Sequence, residues 1–61
     1  VNLNTASAEE LQTLPRVGPA LAERILAHVA DRGGFGAVED LLLVSGIGER
    51  TLAGLRDLVT V

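Results

Sequence analysis

Apolar residues in this chain follow one spacing that is used twice. Leu11, Leu14, Val17, Ala22, Ile25 and Val29 form the first set, and Leu41, Val44, Ile47, Leu52, Leu55 and Val59 form the second at a constant offset. Each copy places a glycine, Gly18 or Gly48, directly after its third apolar member. Runs with helical periodicity lie on both sides of each glycine. A supersecondary unit of helix, tight turn and helix, present in two copies, accounts for the pattern.

Taken in order, Val1 to Thr5 alternates apolar and polar residues and predicts an extended entry. Ser7-Ala8-Glu9-Glu10 fits a capping box, with Ser7 as N-cap and Glu10 three residues on. The first helix is expected to run to about Thr13, because Pro15 excludes helical geometry from the residue before it. The turn from Pro15 to Gly18 follows. Pro19 suits the first position of a second helix, where its missing N–H costs nothing. Leu21, Ala22, Ile25, Leu26 and Val29 then share one face, and Gly33-Gly34 ends the run.

A connector carrying Phe35 leads to a short helix from Val38 to Leu43, with Leu41 and Leu42 expected inward. Its N-cap position is Ala37, a poor capper, so its start is expected to fray. The turn from Ser45 to Gly48 hands over to a last helix spanning about Glu49 to Leu58. Val59 to Val61 is expected to lie beside Val1 to Leu3 and bring the termini together. The fold class is all-α: a pseudo-two-fold pair of helical hairpins in one domain, with four to five short helices sharing one core.

Composition narrows how such a core is held. A chain of 61 residues buries only about 60% of its unfolded surface, which leaves little margin. It has no cysteine and a single histidine, so packing must supply the stability without a disulfide or a His/Cys metal site. Hydrophobic content of 48% permits this. Phe35 is the only aromatic ring of the Phe/Trp/Tyr class, which argues against a stacking platform for single-stranded bases. Five arginines against eight acids give a net charge of −3, so only local basic patches are available to an anionic partner. No paired catalytic carboxylates, no nucleophile with a base and no metal cluster can be assembled. Neither catalysis nor a cofactor is expected.

The candidate chemistry lies at the two turns. A helix leaves its first N–H groups without partners and carries about half a positive charge at that end. A glycine just before it lets a phosphate approach the backbone. Around Gly18 the donors are Gly18, Ala20 and Leu21, since Pro19 has none. Around Gly48 they are Gly48, Glu49, Arg50 and Thr51. Two such sites related by a pseudo-dyad suit phosphates on the two strands flanking a minor groove, contacts that position a protein without reading sequence. The bland alternative is that glycine only permits the tight turn.

These residues resemble the helix-hairpin-helix motif, whose usual hairpin is Gly-apolar-Gly after a leucine and a proline. The order Val1-Asn2-Leu3-Asn4-Thr5-Ala6, then Glu39-Asp40-Leu41-Leu42, then Gly46-Ile47-Gly48 resembles the ComEA-type competence domain over essentially the whole chain. The resemblance implies a tandem helix-hairpin-helix fold and sequence-independent binding of double-stranded DNA during natural transformation. It also implies a place outside the cytoplasmic membrane, periplasmic or held by an anchor that this stretch does not include. The residues implicated are Arg16, Val17, Gly18 and Ala20 in the first hairpin, and Gly46, Ile47, Gly48, Arg50 and Thr51 in the second. No small-molecule substrate is implied. Arg16 stands where the first hairpin glycine usually is, and Val29, Gly36 and Ser45 occupy positions often basic in similar sequences.

The remaining polar residues have structural expectations. Arg16 and Arg50 suit either phosphate contact or a solvated surface. Arg24 and Arg56 are expected to pair on the surface with Glu23 and Asp57. Arg32 and Glu49 complement helix dipoles. His28 is expected to pack, partly buried, and Asn2, Asn4 and Thr5 to cap or tie down the entry in preference to touching the backbone of DNA. Two other functions fit the same fold: a protein-interaction module without nucleic acid, and an accessory DNA-binding domain of a repair enzyme.

Overall fold

A computed structural model describes residues 1–61. It is built from helix α1 (Ala8–Gln12), helix α2 (Pro19–Arg32), a 3₁₀ helix (Val38–Leu43) and helix α3 (Glu49–Leu55), which tightens into a 3₁₀ turn over Arg56–Leu58. α1 packs against α2, and the 3₁₀ helix against α3, so each copy of the repeat forms its own helical pair.

The doubled apolar spacing becomes the core. Fourteen residues are buried, all of them apolar. Leu11 with Leu41, Leu14 with Val44, Val17 with Ile47, Ala22 with Leu52 and Ile25 with Leu55 are buried as matched pairs. Leu3, Ala6 and Phe35 fill the space outside the repeat. Asn4 holds this extra layer in place. Its Nδ2 donates to the Phe35 carbonyl (3.0 Å), and its Oδ1 accepts from the Phe35 N–H (2.6 Å). Gly34 must be glycine here, since its φ is +121° and a Cβ would fall 2.6 Å from Asn4 Oδ1. The side chain of His28 stacks on Phe35 with ring centroids 4.4 Å apart, the half-buried packing role expected of it.

Local signals explain the element boundaries. Ser7 Oγ accepts from the Glu10 N–H, and Glu10 Oε1 accepts from the Ser7 N–H, completing the capping box of α1. Thr13 closes α1, its hydroxyl and N–H both donating to the Glu10 carbonyl. Gly33 ends α2 in the left-handed region at φ +80°. At the termini, Leu3 N–H donates to Thr60 and Thr60 N–H to Val1 (2.8 Å each), a single parallel bridge that joins the two chain ends.

Three expectations need correction. The entry is not extended beyond Asn2: Thr5 and Ala6 N–H both donate to the Asn2 carbonyl, curling Leu3 to Thr5 into a turn. Leu42 does not point inward. A 3₁₀ helix has three residues per turn, which aligns Val38, Leu41 and Val44 on the core and rotates Leu42 and Leu43 outward; they are 42% and 65% exposed. Nor is the start of that helix uncapped. Asp40 Oδ2 accepts from the Gly36 and Ala37 N–H groups (3.1 and 3.3 Å), supplying from inside what Ala37 cannot.

Leu41→Ala and Leu42→Ala therefore separate sharply. For a chain of this length the total folding stability is roughly 3–9 kcal/mol, and truncating a fully buried leucine costs about 2–5 kcal/mol. Thermal unfolding followed by circular dichroism is expected to show Leu41→Ala largely unfolded or strongly destabilised. Leu42→Ala should fall within about 0.5 kcal/mol of the parent. Equal losses would refute the 3₁₀ register.

Candidate nucleic-acid interface

Each hairpin is a four-residue turn closed by one backbone hydrogen bond. Val17 N–H donates to Leu14 (3.2 Å) and Ile47 N–H to Val44 (3.1 Å). The third residue of each turn is left-handed, Arg16 at φ +66° and Gly46 at φ +97°, as a type II turn requires. Arg16 holds that geometry at a cost of about 1–2 kcal/mol that glycine avoids. The apolar residue next in line is driven into the core: Val17 and Ile47 are each only 6% exposed. Both were expected among the contact residues. Their side chains are buried and their N–H groups are used within the turn, so they anchor the hairpins instead.

The glycines that follow are exposed and act as N-caps of α2 and α3. Neither helix start receives a side-chain cap. Ala22 N–H is the first of α2 to find a carbonyl, that of Gly18, and Leu52 N–H donates likewise to Gly48 (2.9 Å each). The N–H groups of Gly18, Ala20 and Leu21 therefore have no protein acceptor, nor do those of Gly48, Glu49, Arg50 and Thr51. The contrast with the rest of the fold is informative. α1 and the 3₁₀ helix each have a side-chain cap, Ser7 accepting from the Glu10 N–H and Asp40 from the Gly36 and Ala37 N–H groups, whereas α2 and α3 have none.

Backbone geometry does not explain Gly18 and Gly48. Their φ values of −98° and −104° suit any residue, and a Cβ on either would meet nothing within 4 Å. The reading that glycine merely permits a tight turn applies to Gly46, not to these two. What a side chain there would change is the open space above the unpaired amides.

Charge is distributed in keeping with this. Arg32 pairs with Asp31 (3.9 Å) and Arg56 with Glu39 (3.3 Å). Arg56 was expected to pair with Asp57, but the packing of the 3₁₀ helix on α3 brings Glu39 to it instead. Arg16, Arg24 and Arg50 have no carboxylate within 4.0 Å. Arg16 belongs to the first hairpin and Arg50 to the first turn of α3. Arg24 was expected to pair with Glu23; it instead reaches across from α2, and its Nη1 donates to the Ser45 carbonyl in the second hairpin (3.3 Å).

A Cβ on Gly46 would fall 2.8 Å from that nitrogen and 3.5 Å from Leu21 Cδ1, so the first turns of α2 lie against the second hairpin. The helical spacing of Leu21 and Arg24 is the only trace of this in the sequence. An open groove of about 450 Å³ runs behind Arg24, bounded by Ala27, His28 and Asp31 on α2 and by Leu43 to Ser45 opposite. The whole body is 24 Å at its widest, so the hairpins are closer together than one turn of B-DNA, about 34 Å.

A family model for the helix-hairpin-helix motif matches residues 1–60. The chain is 46% identical over 61 residues, its full length, to 30% of ComE operon protein 1 of Bacillus subtilis. It is 52% identical over 52 residues, 85% of its length, to a segment making up 9% of the human endonuclease/exonuclease/phosphatase family domain-containing protein 1. An uncharacterized protein of Haemophilus influenzae is 43% identical over 58 residues, 93% of this chain and 52% of that protein. The chain thus spans about half or less of the length of these relatives.

The geometry of the glycines makes a stability prediction. Serine is a strong N-cap in extended geometry, and its hydroxyl would accept from one of the open amides. Gly18→Ser and Gly48→Ser are each expected to raise the unfolding free energy by a few tenths of a kcal/mol, by the N-cap preference of serine over glycine. Urea titration measures it; a clear drop in stability would mean that the space above the amides is not open.

Proposed function

The chain belongs to the helix-hairpin-helix family, and on that footing we propose that it binds double-stranded DNA without regard to sequence, through the backbone amides of its two hairpins. The observation that carries the proposal is the pair of exposed, uncapped helix starts, each behind a glycine that neither conformation nor packing demands. Phosphate oxygens are the natural acceptors for such N–H groups, and the dipole of the helix favours a negative charge there. The first site offers Gly18, Ala20 and Leu21, and the second Gly48, Glu49, Arg50 and Thr51. Arg16 and Arg50 stand beside them with guanidinium groups free of carboxylates, a geometry that matches phosphate.

Because phosphates are the same at every base pair, contacts of this kind fix position and orientation but carry no sequence information. In this reading the two hairpins hold the two strands on the minor-groove side of one short duplex segment, a span compatible with a body 24 Å at its widest. With a net charge of −3, no broad basic face adds to the grip. Binding by one isolated domain is then weak, on the order of 10⁻⁴ to 10⁻⁶ M.

For the parent protein we propose the role of DNA receptor in natural transformation, acting outside the cytoplasmic membrane. Its support is similarity along the whole of this chain to 30% of ComE operon protein 1 and the ComEA-type order of motifs. A weak, backbone-only grip suits a receptor that captures DNA and lets it slide onward. The endonuclease/exonuclease/phosphatase relatives favour a second reading, in which the same module accompanies a catalytic domain. In both readings the module holds DNA and performs no chemistry itself. The sequence of the parent protein beyond this domain decides between them.

Titration of a fluorescent duplex at several salt concentrations tests the binding mode. Two to four phosphate contacts are expected, giving a log–log slope of roughly −2 to −4; affinity indifferent to salt would exclude the mechanism. A second measurement uses the serine variants. Gly18→Ser and Gly48→Ser place a hydroxyl on the amides, so each is expected to weaken all duplexes alike while the fold becomes no less stable. Loss confined to certain sequences would point to base reading instead.

A further inference from the structure

Arg24 is the one hairpin-facing arginine that does not belong to a hairpin segment or to the helix turn following its own hairpin. It leaves α2, the helix that follows the first hairpin, and ends on the second. Its Nη1 donates to the Ser45 carbonyl at 3.3 Å, and no carboxylate lies within 4.0 Å of it. A guanidinium carries five N–H donors in a fixed fork, and the bond to Ser45 occupies one, so most of its donors have no protein partner. The residue is exposed, yet the contact restricts where its charge can go. Gly46 makes room for that contact, because a Cβ at this position would fall 2.8 Å from Nη1 and push the group away.

We propose that Arg24 is a second phosphate-binding cation of the second hairpin, beside Arg50, held in place by the Ser45 carbonyl. The inference rests on the DNA-binding reading above and extends it to a residue outside the hairpin segments. The second hairpin carries Ser45 where a basic side chain would supply charge locally. Arg24 delivers that charge from the neighbouring repeat. It also covers a carbonyl at the lip of the hairpin, whose partial negative charge would otherwise oppose a phosphate. The arrangement makes the two hairpins depend on each other: a cation serving the second site is fixed to the helix whose open end forms the first.

The test separates this charge from a purely structural strut. Arg24→Gln removes the charge while keeping a polar N–H group on the side chain, Arg24→Lys keeps the charge without the fork, and Arg32→Ala is a control at an arginine already paired with Asp31. Each variant is titrated with one fluorescent duplex across salt concentrations, alongside its thermal unfolding. Arg24→Gln is expected to bind roughly tenfold more weakly, the loss of one charge-assisted contact, with the salt slope shallower by about 1. Arg24→Lys is expected to keep the parental slope, and Arg32→Ala both slope and affinity. A folded Arg24→Gln with the parental slope overturns the proposal, whether or not its affinity falls, because the charge then does not meet the DNA. If the parent chain itself shows no salt-dependent binding, the DNA-binding reading fails and this inference with it, a result distinct from a parent that binds and a variant that matches it.

Discussion

Val17 and Ile47 are the side chains on which the rest of the structure turns. Each lies at the end of a tight turn and is pulled into the core beneath it. Without cysteines or a buried polar network, this chain has only apolar packing to fix its loops, and these two residues are where packing and loop meet. Sinking them leaves the next residue, Gly18 or Gly48, on the rim with its helix start facing out. The position of the exposed amides is therefore set by the core, and the surface needs no further device to present them.

The fold treats its helix starts in two ways. Away from the hairpins the start carries a side-chain cap, Ser7 accepting from the Glu10 N–H in α1 and Asp40 from the Gly36 and Ala37 N–H groups ahead of the 3₁₀ helix. At the hairpins it is left open. A good side-chain cap stabilises a helix by about 0.5–2 kcal/mol relative to alanine, a sizeable fraction of what a domain this small has in total. Glycine itself gives up only a few tenths of a kcal/mol at each start relative to such a cap. A ligand that binds only the folded state would offset it by mass action.

Charge follows the same division. An acidic chain is a poor candidate for a DNA-binding protein if only its net charge is considered. The structure shows that several acids are committed elsewhere. Glu10 and Asp40 cap helices, while Asp31 and Glu39 hold Arg32 and Arg56. The arginines without such partners, Arg16, Arg24 and Arg50, are those nearest the hairpins. A positive patch can thus be made by withholding carboxylates from a few arginines as well as by adding lysines.

Much of this was legible in the residues because it is local or periodic. The doubled apolar spacing named ten of the fourteen core residues as five matched pairs. The capping box at Ser7, Pro19 at the start of α2, Gly33 at its end and the meeting of the termini all followed from chemistry within a few residues or from alternation. The hairpin glycines were equally plain. What the sequence did not disclose depends on residues brought together from far apart. Helical periodicity alone does not distinguish a 3₁₀ turn from an α-helix over six residues, and so it points Leu42 inward where the structure turns it out. Asn4 meets Phe35, Glu39 meets Arg56 and Arg24 meets Ser45 only after the two repeats have packed. Composition and spacing therefore determined which segments turn and which face is apolar; the packing of one repeat on the other decided which polar groups found partners and which were left free, because hydrogen bonds and ion pairs depend on distances in space that the order of residues does not contain.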